Sequence, residues 1–384
     1  MTSDIAAVTP TTIRDVRVFD GERLGDPTDV VLADGAITSI AARDISGGVA
    51  DGAVVDGAGG CLLPGLIDAH VHVDTLAQFE QAAQWGVTTM LDMGCRDRAR
   101  VAAFTAGRPL PTLRSAGKPA SAPGSMAVTT MGFDPLSAVS GPHDAARFVA
   151  DRVAEGSDYV KILVEDPKIP RTKALDEATI TALVEAAHAA GLKAVAHIVS
   201  ADTLRTALRA GADVVTHTAL TSELGPEFDS LLERPVVLIP TLTMMDGVRR
   251  AIGGKFIMRV LSPFVPAVRM DYAHAKATVA RFQRAGAVVL VGTDANDDHT
   301  APFQVAHGEA VHEELARLVD AGLSPVEALR GATSATASAF GMPDRGRVAP
   351  GMRADLLLVD GDPTTDISTT RNVRGVWIGG ARTR

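Results

Sequence analysis

His70 and His72 stand one residue apart at the end of a short apolar run. On a β-strand, residues i and i+2 face the same side, so the two imidazoles would converge on one point. Imidazole and carboxylate are the ligands expected of Zn²⁺ and similar divalent ions. Four more side chains occupy comparable places. Lys161 interrupts Tyr-Val-Lys-Ile-Leu-Val, His197 follows Ala-Val-Ala, His217 follows Val-Val-Thr, and Asp294 closes Val-Val-Leu-Val-Gly-Thr-Asp. Each alone has a plainer use: a satisfied strand histidine, a lysine that snorkels to water, an aspartate capping the next helix. Jointly, four histidines, a lysine and an aspartate at the ends of five strands describe one metal pocket. An ammonium beside dications is electrostatically unfavourable. Carbamylation of Lys161 by CO₂ would convert it into an anionic, two-oxygen ligand able to bridge two metals.

Such a pocket needs strands that all present their ends on one side. Between the termini, short β-branched runs alternate with Ala-rich stretches of helical period. The strands are expected at Leu66–Val73, Val87–Met93, Thr112–Ala116, Tyr159–Val164, Ala194–Val199, Val214–Thr218, Val236–Thr241 and Val288–Thr293. Helices are plain over Ala178–Ala190 and Ala201–Ala210, each followed by a glycine. Eight βα units match a (β/α)8 TIM barrel, whose active sites lie at the carboxyl ends of the strands. A G-x-G-x-x-G turn after the first strand and a phosphate-binding G-x-x-x-x-G-K-[ST] loop are both missing, which disfavours a doubly wound nucleotide fold. The two ends have a different texture, with short β runs broken by Asp20-Gly21, Asp34-Gly35 and Gly379-Gly380, and could pair into one small sheet. Residues 118–142, rich in Pro, Gly and Ser, form the longest stretch without clear structure, the usual place for a functional lid.

Composition excludes several other functions. Aromatic residues are only 4% of the 384 and the formal net charge is −9, so neither a base-stacking platform nor an anionic-surface binder is expected. No run of about 18 apolar residues and no leader-like segment over Met1–Arg14 is apparent, which points to a soluble, cytoplasmic protein. Cys61 and Cys95 lie in apolar segments and read as small buried hydrophobes rather than a disulfide framework.

The motifs Pro64-Gly-Leu-Ile-Asp-Ala-His-Val-His72, Lys161, His197, His217 and Gly292-Thr-Asp294 resemble the amidohydrolase superfamily, in its binuclear type with a carboxylated lysine. The stretches Gly331–Ala337, Gly346–Leu356 and Gly361–Pro363 resemble the tail of its imidazolonepropionase-like and Xaa-Pro dipeptidase-like branch. The resemblance implies a barrel of residues 61–342 and a small composite β-sandwich domain built from 1–60 and 343–384. It implies two divalent ions, zinc by default, with His70, His72 and Asp294 on the more buried ion, His197 and His217 on the more exposed one, and carbamylated Lys161 bridging. The activity implied is hydrolysis of an amide, cyclic amide or ester of a small molecule, such as an N-acyl amino acid or dipeptide, by a bridging hydroxide. Asp294 would shuttle the proton and His217 would touch the substrate oxygen. The alternatives are a mononuclear deaminase, an imidazolonepropionase-like ring-opening hydrolase, and a metal-free scaffold relative. Nucleic acid and membrane partners are not implied, and homo-oligomerisation is left open.

Substrate contacts are weaker readings. His299 and His307 follow the eighth strand, and Lys118 and Arg171 belong to loops after strands, where they could meet a substrate carboxylate. His188 and His312 fall in helical patterns and are expected to face solvent. The lysine strand departs from relatives that cleave acyl-amino acids. Where those carry a Gly- or Ser-rich turn, it continues Val164-Glu-Asp-Pro-Lys-Ile-Pro170.

Overall fold

The computed structural model describes residues 10–42, 52–169, 171–253, 270–301 and 303–384. Most of the leader reading, Met1–Thr9, lies outside the described residues, as does Pro170, the last residue of the lysine-strand continuation. The strands in order are β1 (Thr11–Phe19), β2 (Leu24–Ala33), β3 (Ala36–Ala42), β4 (Ala53–Asp56), β5 (Cys61–Pro64), β6 (Leu66–Val71), β7 (Val87–Asp92), β8 (Thr112–Ser115), β9 (Val160–Val164), β10 (Ala194–Ile198), β11 (Val214–Thr216), β12 (Val237–Ile239), β13 (Val288–Val289), β14 (Leu356–Val359), β15 (Val373–Ile378) and β16 (Ala381–Arg382).

Strands β6 to β13 are the eight expected from the alternation, and they run parallel. β6, β7 and β8 form one ladder, and β9 to β13 form another. Two sets of backbone bonds join them into a ring. Ala120 N donates to Lys161 O at 2.8 Å and Leu163 N to Ala120 O at 2.9 Å, bringing the chain after β8 against β9. Ala69 N donates to Val291 O, Asp294 N to His70 O and His72 N to Ala295 O, at 2.7–2.8 Å, bringing the chain after β13 against β6. The ring is a TIM barrel. β13 is regular over two residues only, and the chain beyond it takes a left-handed conformation at Asp294, where φ is +59°.

Strands buried on both faces read as continuous apolar runs, which is why these eight were visible. Their inward residues, among them Ile67, Leu91, Tyr159, Val195, Val214, Ile239 and Leu290, pack with one another inside the barrel. Their outward residues, such as Val160, Ile162 and Val164, pack in the larger core that includes Phe148, Ile180 and Leu183 of the surrounding helices. The helices are capped by sequence: Asp176 accepts from Thr179 N at the start of 177–189, and Ser200 with Thr203 forms a capping box before 201–209. Gly292 marks a close approach. A Cβ there would come within 2.4 Å of Ile239 Cγ2 and 2.9 Å of His70 Cβ.

The remaining strands come from both ends of the chain and form one eight-stranded sheet in the order β16-β15-β14-β5-β1-β2-β3, with β4 beside β1. The expected sandwich takes the form of this single sheet curled over its own core of Ile13, Val30, Ile37, Leu62, Leu356 and Trp377. The curl brings the β2–β3 turn onto the β15–β16 turn: Ala354 N donates to Gly35 O at 2.8 Å and Gly380 N to Ala354 O at 2.9 Å. β5 pairs with both β1 and β14, and only Gly65 separates it from β6. The sheet therefore fixes where the first barrel strand, and with it the His-x-His pair, begins. Replacing fully buried Trp377 by Ala should cost about 3–5 kcal/mol, read as a lower denaturant midpoint.

Candidate metal centre

The structure brings the strand-end side chains together at one mouth of the barrel. Asp294 Oδ1 lies 3.3 Å from His70 Nε2 and 3.2 Å from His72 Nε2, and its Oδ2 is 3.8 Å from His217 Nδ1. One donor atom each from His70, His217 and Asp294 falls within 4.8 Å of the others. The His197 and His217 rings are 4.8 Å apart, as are those of His70 and His217. Lys161 reaches the cluster from β9, where it pairs in register with Val195, and His197 follows two residues later on the same face of β10. His72 keeps 29% of its side chain exposed and Asp294 13%, so the mouth is open to solvent while His70 is sealed.

Burial sets the charge state of this cluster. It pushes His70 and His217 well below the usual imidazole range and His197 down to about 3, with nearby Lys161 and histidines adding to the effect. Neutral imidazole is the ligand form. Burial also works against charge on His72, but the hydrogen bond and attraction of Asp294 outweigh it and raise its pKa. Lys161 is brought down to about 7 by burial, against the pull of Asp294 and Asp92. Its Nζ is buried without a hydrogen-bond partner among the described residues.

An orphaned amine in such a place is chemically informative. A neutral lysine amine is the form that adds CO₂, and a carbamate there would have imidazole-held cations to face. The donor set, four imidazoles, one carboxylate and one reactive amine, therefore fits divalent ions.

Several supporting residues were not singled out from sequence. Thr216 Oγ1 is 2.7 Å from His70 Nδ1, leaving its Nε2 to face Asp294, and Thr241 Oγ1 is 2.6 Å from His217 Nδ1. Thr241 adopts φ +47°, rare for a β-branched residue. The chain just beyond it is held by Glu314, fully buried, which accepts from Leu242 N and Thr243 N at 2.7 Å each and from Thr243 Oγ1 at 2.8 Å. Asp68 accepts from Thr293 N and Oγ1 at 3.0 and 2.6 Å and from His70 N at 3.2 Å, tying β6 to the Asp294 segment. Asp92 accepts from Ser115 Oγ at 2.5 Å, and burial lifts its carboxyl to about 6. The visible signal was position: Thr216 and Thr293 directly precede His217 and Asp294, and Asp68 lies two residues before His70.

The weaker substrate readings separate. His307 is 2% exposed with Nε2 3.0 Å from His72 O, so it sits behind His72 rather than in the open mouth. His299 is exposed, with Nδ1 3.3 Å from Gln304 Nε2. Lys118 is engaged by Glu155 at 3.1 Å, and Arg171 is exposed with φ +67°. His312 corrects the sequence reading: it is 1% exposed and bridges Trp85 O and Thr370 Oγ1 at 3.0 Å each, because its helix packs against the carboxyl-terminal segment on that face. His188 is exposed as expected, 2.9 Å from Asp213. Cys61 and Cys95 are buried thiols, pushed up to about 12 chiefly by desolvation. The 118–142 stretch carries a short helix, Met126–Thr129, and a 3₁₀ turn, Pro135–Ser137. Its Phe133 packs close to Gly94, beside His72.

Residues 61–383 match the sequence profile of the amidohydrolase family. An uncharacterized protein of Mycobacterium tuberculosis (strain ATCC 25618 / H37Rv) is 28% identical over 293 residues, covering 71% of this chain and 72% of its own length. An adenine deaminase of Moorella thermoacetica is 26% identical over 365 residues, 90% of this chain and 52% of the deaminase. The crystal structure of a Xaa-Pro dipeptidase with bound methionine in its active site superposes with a TM-score of 0.80, at 24% identity, over 97% of this chain and 99% of that one.

Removing the Thr241 hydroxyl tests the supporting layer. Thr241→Val keeps the branched shape but frees His217 Nδ1, and the affinity for added Zn²⁺, measured by competition with a chromophoric chelator, should fall about 10–100-fold.

Proposed function

The chain belongs to the amidohydrolase family and is a hydrolase of carbon–nitrogen bonds, and we propose that it cleaves an amide, cyclic amide or ester of a small molecule at a centre of two divalent ions. The observation that carries the binuclear reading is the buried, partnerless Nζ of Lys161 amid four imidazoles. A single ion with an open position needs only about three protein ligands, and it would give this lysine nothing to do. His70, His72 and Asp294 would hold the inner ion, His197 and His217 the outer one, and the carbamate of Lys161 both. Zinc is the ion these ligands suit by default.

Ions so held would supply Lewis acidity and lower the pKa of water towards neutrality. The chain's own groups do the rest. Asp294 is the carboxylate at the open mouth, within 3.3 Å of two imidazole nitrogens on Oδ1 and with Oδ2 3.8 Å from His217 Nδ1. From there Oδ2 would take the proton of the attacking water and return it to the departing nitrogen. His217, its Nδ1 held by Thr241, would present Nε2 where the substrate carbonyl oxygen enters. The barrel walls exclude bulk water from the inner ligands, His70 above all.

Two measurements decide the reading. Metal analysis should find two ions per chain, and Lys161→Ala should lose both the bridging charge and hydrolysis, with partial recovery by added short carboxylates such as acetate. One ion per chain with full activity would instead favour the deaminase or ring-opening alternative. Asp294→Asn should lower kcat by about 10²–10⁴-fold in a hydrolysis screen of acyl-amino acids, lactams and aryl amides.

A further inference from the structure

Strand β9 alternates strictly. Val160, Ile162 and Val164 belong to the outer core with the helices, and Tyr159 belongs to the barrel interior. Lys161, Leu163 and Glu165 therefore follow Tyr159 on the inner face, in rising order towards the mouth. The next residue confirms the parity. Asp166 turns outward, accepting from Ser200 Oγ at 2.7 Å and from Lys168 N at 2.9 Å, and Ile169 N donates to Asp166 O at 3.1 Å. Ser200 is the cap of the helix that follows β10. Glu165 is left on the opposite side, half-buried, with no hydrogen bond or ion pair among the described residues. Desolvation, with Asp166 second, holds its carboxyl above the usual range, the state of a carboxylate short of a cation.

The level of Glu165 can be set against the metal pocket. Leu163 pairs in register with His197, so Glu165 stands two residues, about 7 Å, beyond the height of that ligand. A group held there would be several bonds from a carbonyl at the ions. We propose that Glu165 is a specificity-determining residue that selects substrates carrying an ammonium or guanidinium group at the far end of the acyl chain from the scissile bond. This rests on the hydrolase reading above and adds the charge of the substrate to it.

Matched probes separate the two claims. Calorimetric binding of 6-aminohexanohydroxamic acid and hexanohydroxamic acid to the metal-loaded protein reads the subsite without turnover. The corresponding 4-nitroanilides read hydrolysis. Wild type should bind the cationic hydroxamate about 10–100-fold more tightly. That ratio should shrink to within about twofold in Glu165→Gln and survive in part in Glu165→Asp. Equal binding of the two hydroxamates to wild type, a ratio untouched by Glu165→Gln, or no binding of either would overturn the proposal. If the hydroxamate ratio holds but neither anilide is cleaved, the hydrolase reading fails and the cationic subsite stands. Cleavage of both anilides at equal kcat/KM has the reverse meaning.

Discussion

Five basic side chains, His70, His72, Lys161, His197 and His217, share one buried pocket with a single carboxylate among them, and the pocket cannot hold them all as cations. Two unit charges at the 4.8 Å spacing of the His70 and His217 rings would repel by about 3.5 kcal/mol at an effective dielectric constant of about 20, before any loss of hydration. Burial and mutual repulsion therefore keep His70, His197 and His217 neutral and bring Lys161 close to neutrality. A cluster of neutral lone pairs around one carboxylate has little to offer the fold, since it leaves Lys161 Nζ without a partner. Divalent ions and a carbamate, as proposed above, would convert the same cluster from an electrostatic liability into a set of satisfied ligands.

The supporting residues follow from that requirement. A lone pair is useful only if it points at the ion, so each ring needs its other nitrogen held. Thr216, on β11, does this for His70 across the barrel mouth, and Thr241, just past β12, does it for His217 from the adjacent strand. Asp68 holds the first strand to the Asp294 segment through Thr293, and Glu314 holds the backbone directly after Thr241. Losing Glu314 would leave two backbone N–H groups and a hydroxyl without acceptors in a dry site, at about 1–3 kcal/mol for each unsatisfied group. The curled terminal sheet enters at the same point, since only Gly65 lies between its β5 and the strand carrying the His-x-His pair.

The barrel was legible because parallel strands covered on both faces are uninterrupted apolar runs, and the clustered side chains were legible because each is a polar residue set within or at the end of such a run. Lys161 inside Val-Lys-Ile-Leu-Val is the clearest case. Less could be read where a residue acts through a partner distant in sequence. Glu314 sits in a helix more than 70 residues beyond Leu242, and nothing in its local pattern distinguishes it from a solvent-facing glutamate. His312 was misread for the same reason: its two partners, Trp85 and Thr370, lie 227 and 58 residues away. Pairing of the two ends into one sheet was expected from their shared texture, but the curl of that sheet escaped, because turn residues announce only local reversals.

Strand β9 shows how one short sequence can carry all the levels at once. Its outward valines and isoleucine bind it to the helix layer, so its inward register is not free to slip; a one-residue shift would bury Lys161 among helices. With the register fixed, the inward residues stack in order of function: Tyr159 closes the floor, its Oη donating to Asp92 O at 2.8 Å, and Lys161 stands at the ligand level. Leu163 forms apolar wall beside His197, and Glu165 comes last at the rim. Lys161 occupies the paired strand, where its position is set by the ladder. On the proposal above, discrimination falls to the first residue past the ladder, where a side chain can change without disturbing that pairing. On that logic the charged continuation after Val164 belongs to substrate choice and not to the reaction.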